Sequence, residues 1–411
     1  MLERNGARVA KGIRLLTVCA AFALVLAGSA IQMVTSVSTA GAAPAPKAPK
    51  APKKVSGVVA TPGVGVITVT WNLDTGSGIT YTVTSLPAGN GCAVVDAEAC
   101  TVPAVTSTPW QFSVTASDSA GTASPSGLSR VVPHRVLLVV AGQSNALGAT
   151  SYAIDPITGV NYFGHPYANA ADKKDLIAWP GWWELSPPVT ASGLVPLDTP
   201  QYLNFVTTPT QVFGPEVGLA RQIWTDDSLA VTIDKVVYSD SSMVDWSPAT
   251  SGGLFDDMVG IVKQTMASDA AQGQLDTVGG FYWYQGESDA MDPTLSAEYQ
   301  ANLTGFITAV RASLPMSGTA PILLVKESLA EVIGVQQAAG ICSSPNCEAV
   351  IAGDTAVRAA DDWAAANLPH VVTVDSLGLA RTTAYGGIHL SNTGELQLGE
   401  ELAKASDHQF P

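Results

Sequence analysis

Between residues 55 and 133 apolar and polar side chains alternate in short runs. Val66-Ile67-Thr68-Val69-Thr70-Trp71, Ile79-Thr80-Tyr81-Thr82-Val83-Thr84 and Trp110-Gln111-Phe112-Ser113-Val114-Thr115-Ala116 are the clearest. A period of two sends successive side chains to opposite faces of a strand. Gly, Pro, Asn, Asp and Ser separate the runs, with no helical period among them, so the stretch predicts a small all-β sandwich. From Val136 the pattern changes. Apolar runs at Val136–Ala141, Val231–Ser239, Val278–Tyr284, Ile322–Lys326 and Val371–Asp375 predict five buried strands. Helix-like segments over Gly214–Trp224, Phe255–Ala267, Leu295–Ser313 and Val357–Ala366 lie between or after them. In the third, Leu295, Tyr299, Leu303, Phe306 and Val310 share one helical face. Strands alternating with helices predict an α/β fold over residues 134–411, a parallel five-stranded sheet in a three-layer α/β/α arrangement.

The first 54 residues obey neither pattern. Arg4, Arg8, Lys11 and Arg14 precede an apolar run from Leu15 to Ile31, and Ala40-Gly41-Ala42 follows. This order predicts a secretory signal peptide over residues 1–42. A retained membrane anchor is the alternative, because the run is nearly long enough to span. Residues 43–54 place Pro at every second or third position among Ala and Lys, which favours an extended spacer. Its lysines, or the sandwich behind it, are candidate contacts for cell-wall polymers; a solvated linker is the plainer reading. The expected protein is secreted, with no membrane association after cleavage.

Charge sharpens this division. The chain carries 20 Lys and Arg against 35 Asp and Glu, a net charge of −15. Eight of those cations and one acid fall in residues 1–54, so a basic leader precedes a strongly acidic body. Such a body repels nucleic acid, which excludes that class of partner. Only 13% of residues are charged, against about a quarter in ordinary soluble domains. Beyond Cys19 in the leader stand Cys92, Cys100, Cys342 and Cys347. Three pairings are open to them; 92–100 and 342–347 are the economical ones in an oxidising compartment. No His stands near either pair at zinc-ligand spacing, so no metal site is expected. No cofactor is expected either.

Ligands of open parallel sheets sit beyond the carboxyl ends of the strands. Gly142-Gln143-Ser144-Asn145 follows the first predicted strand, Ser239-Asp240-Ser241-Ser242 and Trp246 the second, and Gln285-Gly286-Glu287-Ser288-Asp289 the third. Gly386-Gly387-Ile388-His389 lies about a dozen residues past the fifth. A Ser at such a turn is either a helix cap or a nucleophile whose own N–H faces an oxyanion. His389 is structural or a base, and Glu287, after an apolar strand, needs a partner. Together they are a candidate nucleophile, base and orienting acid.

These blocks carry a resemblance. Gly142-Gln143-Ser144-Asn145, Phe213-Gly214-Pro215-Glu216, Trp283-Tyr284-Gln285-Gly286-Glu287-Ser288-Asp289 and Ile388-His389-Leu390-Ser391 resemble the sialate O-acetylesterase-like branch of the SGNH hydrolases, with which carbohydrate esterase family six is grouped. The resemblance implies a flavodoxin-like fold and metal-independent removal of acetyl groups from sugar hydroxyls. It makes Ser144 the nucleophile, His389 the base and Glu287 the residue that orients the histidine. The Ser144 N–H, a backbone N–H near Asp240 and the Gln285 side-chain amide become the oxyanion hole. Two positions depart from the pattern: Gly386 stands where many relatives carry Asp, three residues before the histidine, and Ser239-Asp240-Ser241 replaces a Gly-Gly-Thr/Ser block. Residues 55–133 similarly resemble a fibronectin type III module.

Residues 150–210 are rich in aromatics, including Trp182 and Trp183. They form either a sugar-stacking platform or a local minicore. Asn145, Trp182, Trp183 and Trp246 are the candidate substrate contacts. The expected activity is that of a secreted serine esterase acting through an acyl-enzyme on acetylated poly- or oligosaccharides. A non-catalytic glycan-binding protein with a decayed hydrolase domain is the rival of another class. A lipase or thioesterase of the same fold is the rival within the class.

Overall fold

The alternating runs fold as two facing antiparallel sheets. In the computed structural model the described residues are 49–103, 110–132, 134–149, 176–178, 195–196, 201–203, 210–227, 229–338 and 345–407. Strands β1 (Ser56–Gly63), β2 (Val66–Asn72), β3 (Thr80–Leu86), β4 (Gly91–Val95), β5 (Ala99–Pro103), β6 (Gln111–Asp118) and β7 (Gly121–Thr122) make sheets of order β1-β2-β5 and β4-β3-β6-β7. Their inward positions (Ile67, Val69 and Trp71; Tyr81 and Val83; Phe112, Val114 and Ala116) form one buried core. A disulfide between Cys92 on β4 and Cys100 on β5 ties the two sheets together. Cys347 is also disulfide-bonded; Cys342, its expected partner, lies outside the described residues, as do residues 1–42, Trp182 and Trp183.

The remainder is a three-layer α/β/α domain. Its elements in chain order begin with β8 (His134–Gly142), α1 (Ser144–Leu147), β9 (Leu176–Ala178), β10 (Val195–Pro196), β11 (Gln201–Leu203), β12 (Thr210–Val212) and α2 (Glu216–Asp227). They continue through β13 (Val231–Val237), α3 (Leu254–Ala271), β14 (Leu275–Tyr284), α4 (Glu287–Ala290), α5 (Pro293–Ser313) and β15 (Ile322–Lys326). The last are α6 (Leu329–Ala338), α7 (Asn346–Asn367), β16 (Val371–Asp375) and α8 (Asn392–Ala405). Five mutually parallel strands stand in the order β13-β8-β14-β15-β16. Numbered within this domain the order is 2-1-3-4-5, the flavodoxin-like winding. Beyond β13, β9 pairs parallel and β10 antiparallel to β9, which extends the sheet to seven strands.

Strand β8 shows why three layers form. Leu137, Val139 and Ala141 face the core shared with α3, α5 and α7. Val136, Leu138 and Val140 face the core shared with α2 and α8. A strand buried on both faces needs apolar residues at every position, as this run supplies. In β14 the pairing register shifts between Val278 and Gly280. Such a bulge resets the alternation: Val278, Phe281 and Trp283 share one core, while Tyr282 and Tyr284 enter the other. The sandwich is anchored to this domain. Leu275, the first residue of β14, is buried in the sandwich core beside Val55 and Val132.

Candidate active site

The carboxyl edge of the sheet gathers the polar residues. Gly142 ends β8 with φ +140°, and a Cβ there would lie 2.0 Å from the Tyr284 carbonyl oxygen. Only glycine lets the backbone turn that tightly against β14. The Gln143 N–H donates to the same carbonyl at 3.0 Å, fixing the turn. Ser144 is then the first residue of α1, with Gln143 in the cap position. Its hydroxyl is therefore not the helix cap, and its N–H has no preceding-turn carbonyl to bond. Ser144 is 4% exposed.

Asn145 ties this turn to the histidine segment. Its Nδ2 donates to Glu287 Oε1 at 2.7 Å and to the Ile388 carbonyl at 3.2 Å. Its Oδ1 accepts from the Leu390 N–H at 3.0 Å. Both backbone neighbours of His389 are thus held by the residue that follows Ser144. Arg381 grips the segment from behind: Nη1 donates to the Ile388 carbonyl at 2.7 Å, and Nη2 to the Ser328 hydroxyl. The Thr382 N–H reaches the His389 carbonyl at 3.1 Å.

The second strand end is pinned as firmly. The Tyr238 N–H donates to the Gly142 carbonyl at 2.9 Å. Gln285 Nε2 donates to the Ser241 carbonyl at 2.9 Å and to Asp289 Oδ2 at 2.5 Å, and lies 3.4 Å from Gln143 Oε1. Asp289 also accepts the Met243 N–H. Between these anchors Asp240 is exposed, with a left-handed φ of +58°.

Burial sets the electrostatics. It pushes His389 down to about 4, with Arg381 acting in the same sense and Asp240 against it. Burial pushes Glu287 up, opposed by its Asn145 hydrogen bond and the Arg381 charge. Burial likewise raises Asp289 to about 6, against its hydrogen bond from Gln285 and the Met243 N–H. A neutral imidazole is the protonation state a general base requires. Among the described residues no group of three His, Cys, Asp or Glu side chains is placed to hold a metal ion. A cavity of about 550 Å³ opens beside the histidine segment, lined by Val332, Val335, Leu379, Arg381, Thr382 and Gly386 among others. Its size is that of a small-ligand site.

Ser144, Asp240, Gln285, Glu287 and His389 therefore meet at one edge, with four differences from the expected roles. Glu287 Oε1 accepts from Asn145 Nδ2, the amide whose other bonds flank His389. The two N–H bonds of Gln285 already face three acceptors, leaving none for an oxyanion. Asn145 is 1% exposed with both amide atoms engaged, which makes it a clamp and not a sugar contact. Trp246 is fully buried against Trp283 and Phe306, and its indole N–H bonds Ser241 Oγ. Its aromatic face belongs to the core. Two residues were given no role by the sequence reading. Gln143 is 3% exposed, and its Oε1 is the atom turned to Gln285. Arg381 gave no local signal, since nothing in its neighbourhood marks it apart from the body's other cations.

This winding gathers serine and histidine at its carboxyl edge, and the family match over residues 134–408 makes the chain a hydrolase of carboxylic esters. The chain belongs to the carbohydrate esterase, sialic acid-specific acetylesterase family, whose model matches residues 134–408. Esterases of this family act on acetylated carbohydrates. Among solved structures, a protein from Arabidopsis thaliana is similar at 21% identity, covering 68% of this chain and 100% of its own, with a TM-score of 0.46. A carbohydrate acetylesterase from Xanthomonas citri is similar at 16% identity, covering 86% and 75% of the two chains, with a TM-score of 0.48. NanS is similar at 14% identity, covering 67% and 97%, with a TM-score of 0.43. No curated protein matches the chain.

Proposed function

We propose that the protein is a secreted serine esterase that removes acetyl groups from carbohydrate hydroxyls. Ser144 Oγ attacks the ester carbonyl while His389 accepts its proton. The tetrahedral oxyanion rests against the backbone N–H groups of Ser144 and Asp240, with the Gln143 amide in the place expected of Gln285. His389 then returns the proton to the departing sugar oxygen, leaving an acetyl-serine. Water, deprotonated by the same imidazole, releases acetate. Donors fixed in advance at the developing charge are the largest source of rate in this kind of step. Glu287 acts at one remove, by holding Asn145.

The observation that carries this reading is the Asn145 clamp, which bonds the residues on both sides of His389 from the position next to Ser144. The low charge density and acidic body favour neutral acetylated polymers over polyanionic ones. Residues 1–42 act as the secretion signal, residues 43–54 as a tether that can meet cell-wall polymers, and the sandwich as a fibronectin type III-like spacer. Within its family we assign the catalytic domain to the sialate O-acetylesterase-like branch with which carbohydrate esterase family six is grouped, on the blocks around Ser144, Glu287 and His389.

A fluorophosphonate probe and p-nitrophenyl acetate test the chemistry. The wild-type chain should label at a single serine and turn over the ester, and Ser144→Ala should lose both. Labelling that survives in Ser144→Ala, or turnover equal in the two proteins, overturns the assignment.

A further inference from the structure

We propose that Asp289 positions the oxyanion donors: one buried carboxylate holds both the loop that carries the Asp240 N–H and the side-chain amide of Gln143. The inference rests on the serine-esterase reading and adds what keeps those donors in place. Asp289 exchanges no proton with the substrate and acts only through Gln285 and Met243.

Hydrogen bonds run from Asp289 in two directions. Toward the second strand end, both of its carboxylate oxygens accept the Met243 N–H, Oδ1 at 3.1 Å and Oδ2 at 3.0 Å. Toward the third, Oδ2 accepts from Gln285 Nε2 at 2.5 Å. The same nitrogen donates to the Ser241 carbonyl at 2.9 Å and lies 3.4 Å from Gln143 Oε1. Asp240 stands just before the two residues so held, Ser241 and Met243, with a left-handed φ of +58°. A non-glycine residue keeps that backbone only where its surroundings impose it. The Tyr238 bond to the Gly142 carbonyl imposes it from one side. Asp289 and Gln285 impose it from the other.

Asp289 itself stands on a rigid support. A Cβ at Gly353 of α7 would lie 2.1 Å from the Ala290 carbonyl oxygen, so α7 packs directly on the turn that carries Asp289. Tyr299 of α5 donates its hydroxyl to the Gln285 carbonyl at 3.1 Å. Asp289 is 0% exposed. A carboxylate in such a place is costly unless donors surround it, and an apolar residue would serve packing better. What the acid supplies is an acceptor on each oxygen, where donors arrive from two segments. Asparagine has the same shape but, either way round, sets its NH2 group against an N–H donor.

Kinetics with p-nitrophenyl acetate give the first test. At pH 8 Asp289→Asn should lower kcat about thirtyfold with KM within about twofold, because displaced oxyanion donors weaken the transition state and not substrate binding. Burial holds the Asp289 carboxyl up to about 6, against its bonds from Gln285 and Met243. The titratable groups around it are Asp245 on the loop, Glu287 on the same turn and Tyr299 on α5. These and His389 are present in both proteins. Below its pKa the wild-type acid is protonated and becomes the counterpart of asparagine, so the ratio of wild-type to variant kcat should fall toward one by about pH 5. A merely structural role predicts a ratio that does not change with pH. The second test needs no turnover. In a Ser144→Ala chain labelled with ¹⁵N-methionine, the Met243 amide, assigned through Met243→Leu, should titrate with a midpoint near pH 6. Adding Asp289→Asn should abolish that step. A folded Asp289→Asn with wild-type kcat, or with a constant ratio from pH 5 to 8, overturns the proposal. So does a Met243 amide that does not titrate between pH 5 and 7, the outcome that decides where the variant fails to fold. Failure of the serine-esterase reading appears separately, as an unlabelled Ser144 in the wild-type chain treated with the fluorophosphonate probe.

Discussion

At the scale of single residues, the site depends on amides as much as on its reactive groups. Replacing Asn145 by Ala removes three hydrogen bonds at once: those to Glu287, the Ile388 carbonyl and the Leu390 N–H. It strands a buried carboxyl and a buried N–H, at a cost of about 2–4 kcal/mol. It also frees the segment that carries His389, and a misplacement of about 1 Å can cost roughly a hundredfold in rate. Asn145→Ala should therefore lower kcat for p-nitrophenyl acetate about a hundredfold while KM changes little. A lower melting temperature with an unchanged kcat would show that the clamp serves stability alone. The roles of these amides could not be read from the chain. Asn145 sits in a recognisable block, but its partners at 287, 388 and 390 are supplied by two distant segments. Trp246 shows the same limit from the other side. An aromatic residue near a strand end suits sugar stacking and core packing equally, and the neighbours Trp283 and Phe306 decide. Ser144 and Glu287 stood out because each follows closely on a strand whose apolar run makes a polar residue conspicuous, and His389 because it stands just before the last helix.

At the scale of elements, the sheet was the most legible part, since strands buried on both faces must be continuously apolar. Ile322–Lys326 and Val371–Asp375 form over the residues their pattern predicts. The second strand stops at Val237, two residues short of expectation. The Tyr238 N–H already bonds the Gly142 carbonyl there, and Ser239 and Asp240 turn away. The short strands β9 and β10 went unread, because three- and two-residue strands carry no period. The bulge after Val278 was hidden too, since β14 is apolar on both faces of it. Leu275 was invisible for a third reason: it opens a strand of the α/β domain yet fills the core of the sandwich. That position joins the two folds, so its loss should be felt by both. Leu275→Ala should cost about 2–4 kcal/mol, the usual cost of emptying a buried leucine site. The sandwich should also become the first part cut in limited proteolysis. If the variant melts at the wild-type temperature and is cut no faster, the contact does not hold the sandwich in place.

At the scale of the whole molecule, a subset of the scarce charges lies where water is excluded, and this gives the fold a pH dependence of definite sign. Burial raises Asp234, Glu327, Asp361 and Glu395 well above the ordinary carboxylate range. It raises Asp276 to about 9, aided by neighbouring Asp269 and opposed by Arg135. A group whose pKa is higher folded than unfolded holds its proton more tightly in the native state. The stability it contributes is complete below the unfolded value, near 4, and is lost as pH climbs through the folded value. His389 works the other way. Its pKa falls to about 4 on folding, so the unfolded chain takes up a proton first and stability is lost as pH drops from about 6.5 toward 4. One histidine is set against several carboxyls, and the acidic body adds self-repulsion as pH rises. The carboxyls therefore win over most of the range. The melting temperature should peak near pH 5 and fall by about 5 °C or more by pH 9. Asp276→Asn should flatten the alkaline side by removing the group that titrates there, and it should leave the acid side, set by His389, in place. A melting temperature that is level from pH 5 to 9, or that rises, would mean these carboxyls are ionised in the folded protein through hydration that their burial denies them. Such a result would also weaken the case for a neutral His389, since both conclusions rest on the same exclusion of water.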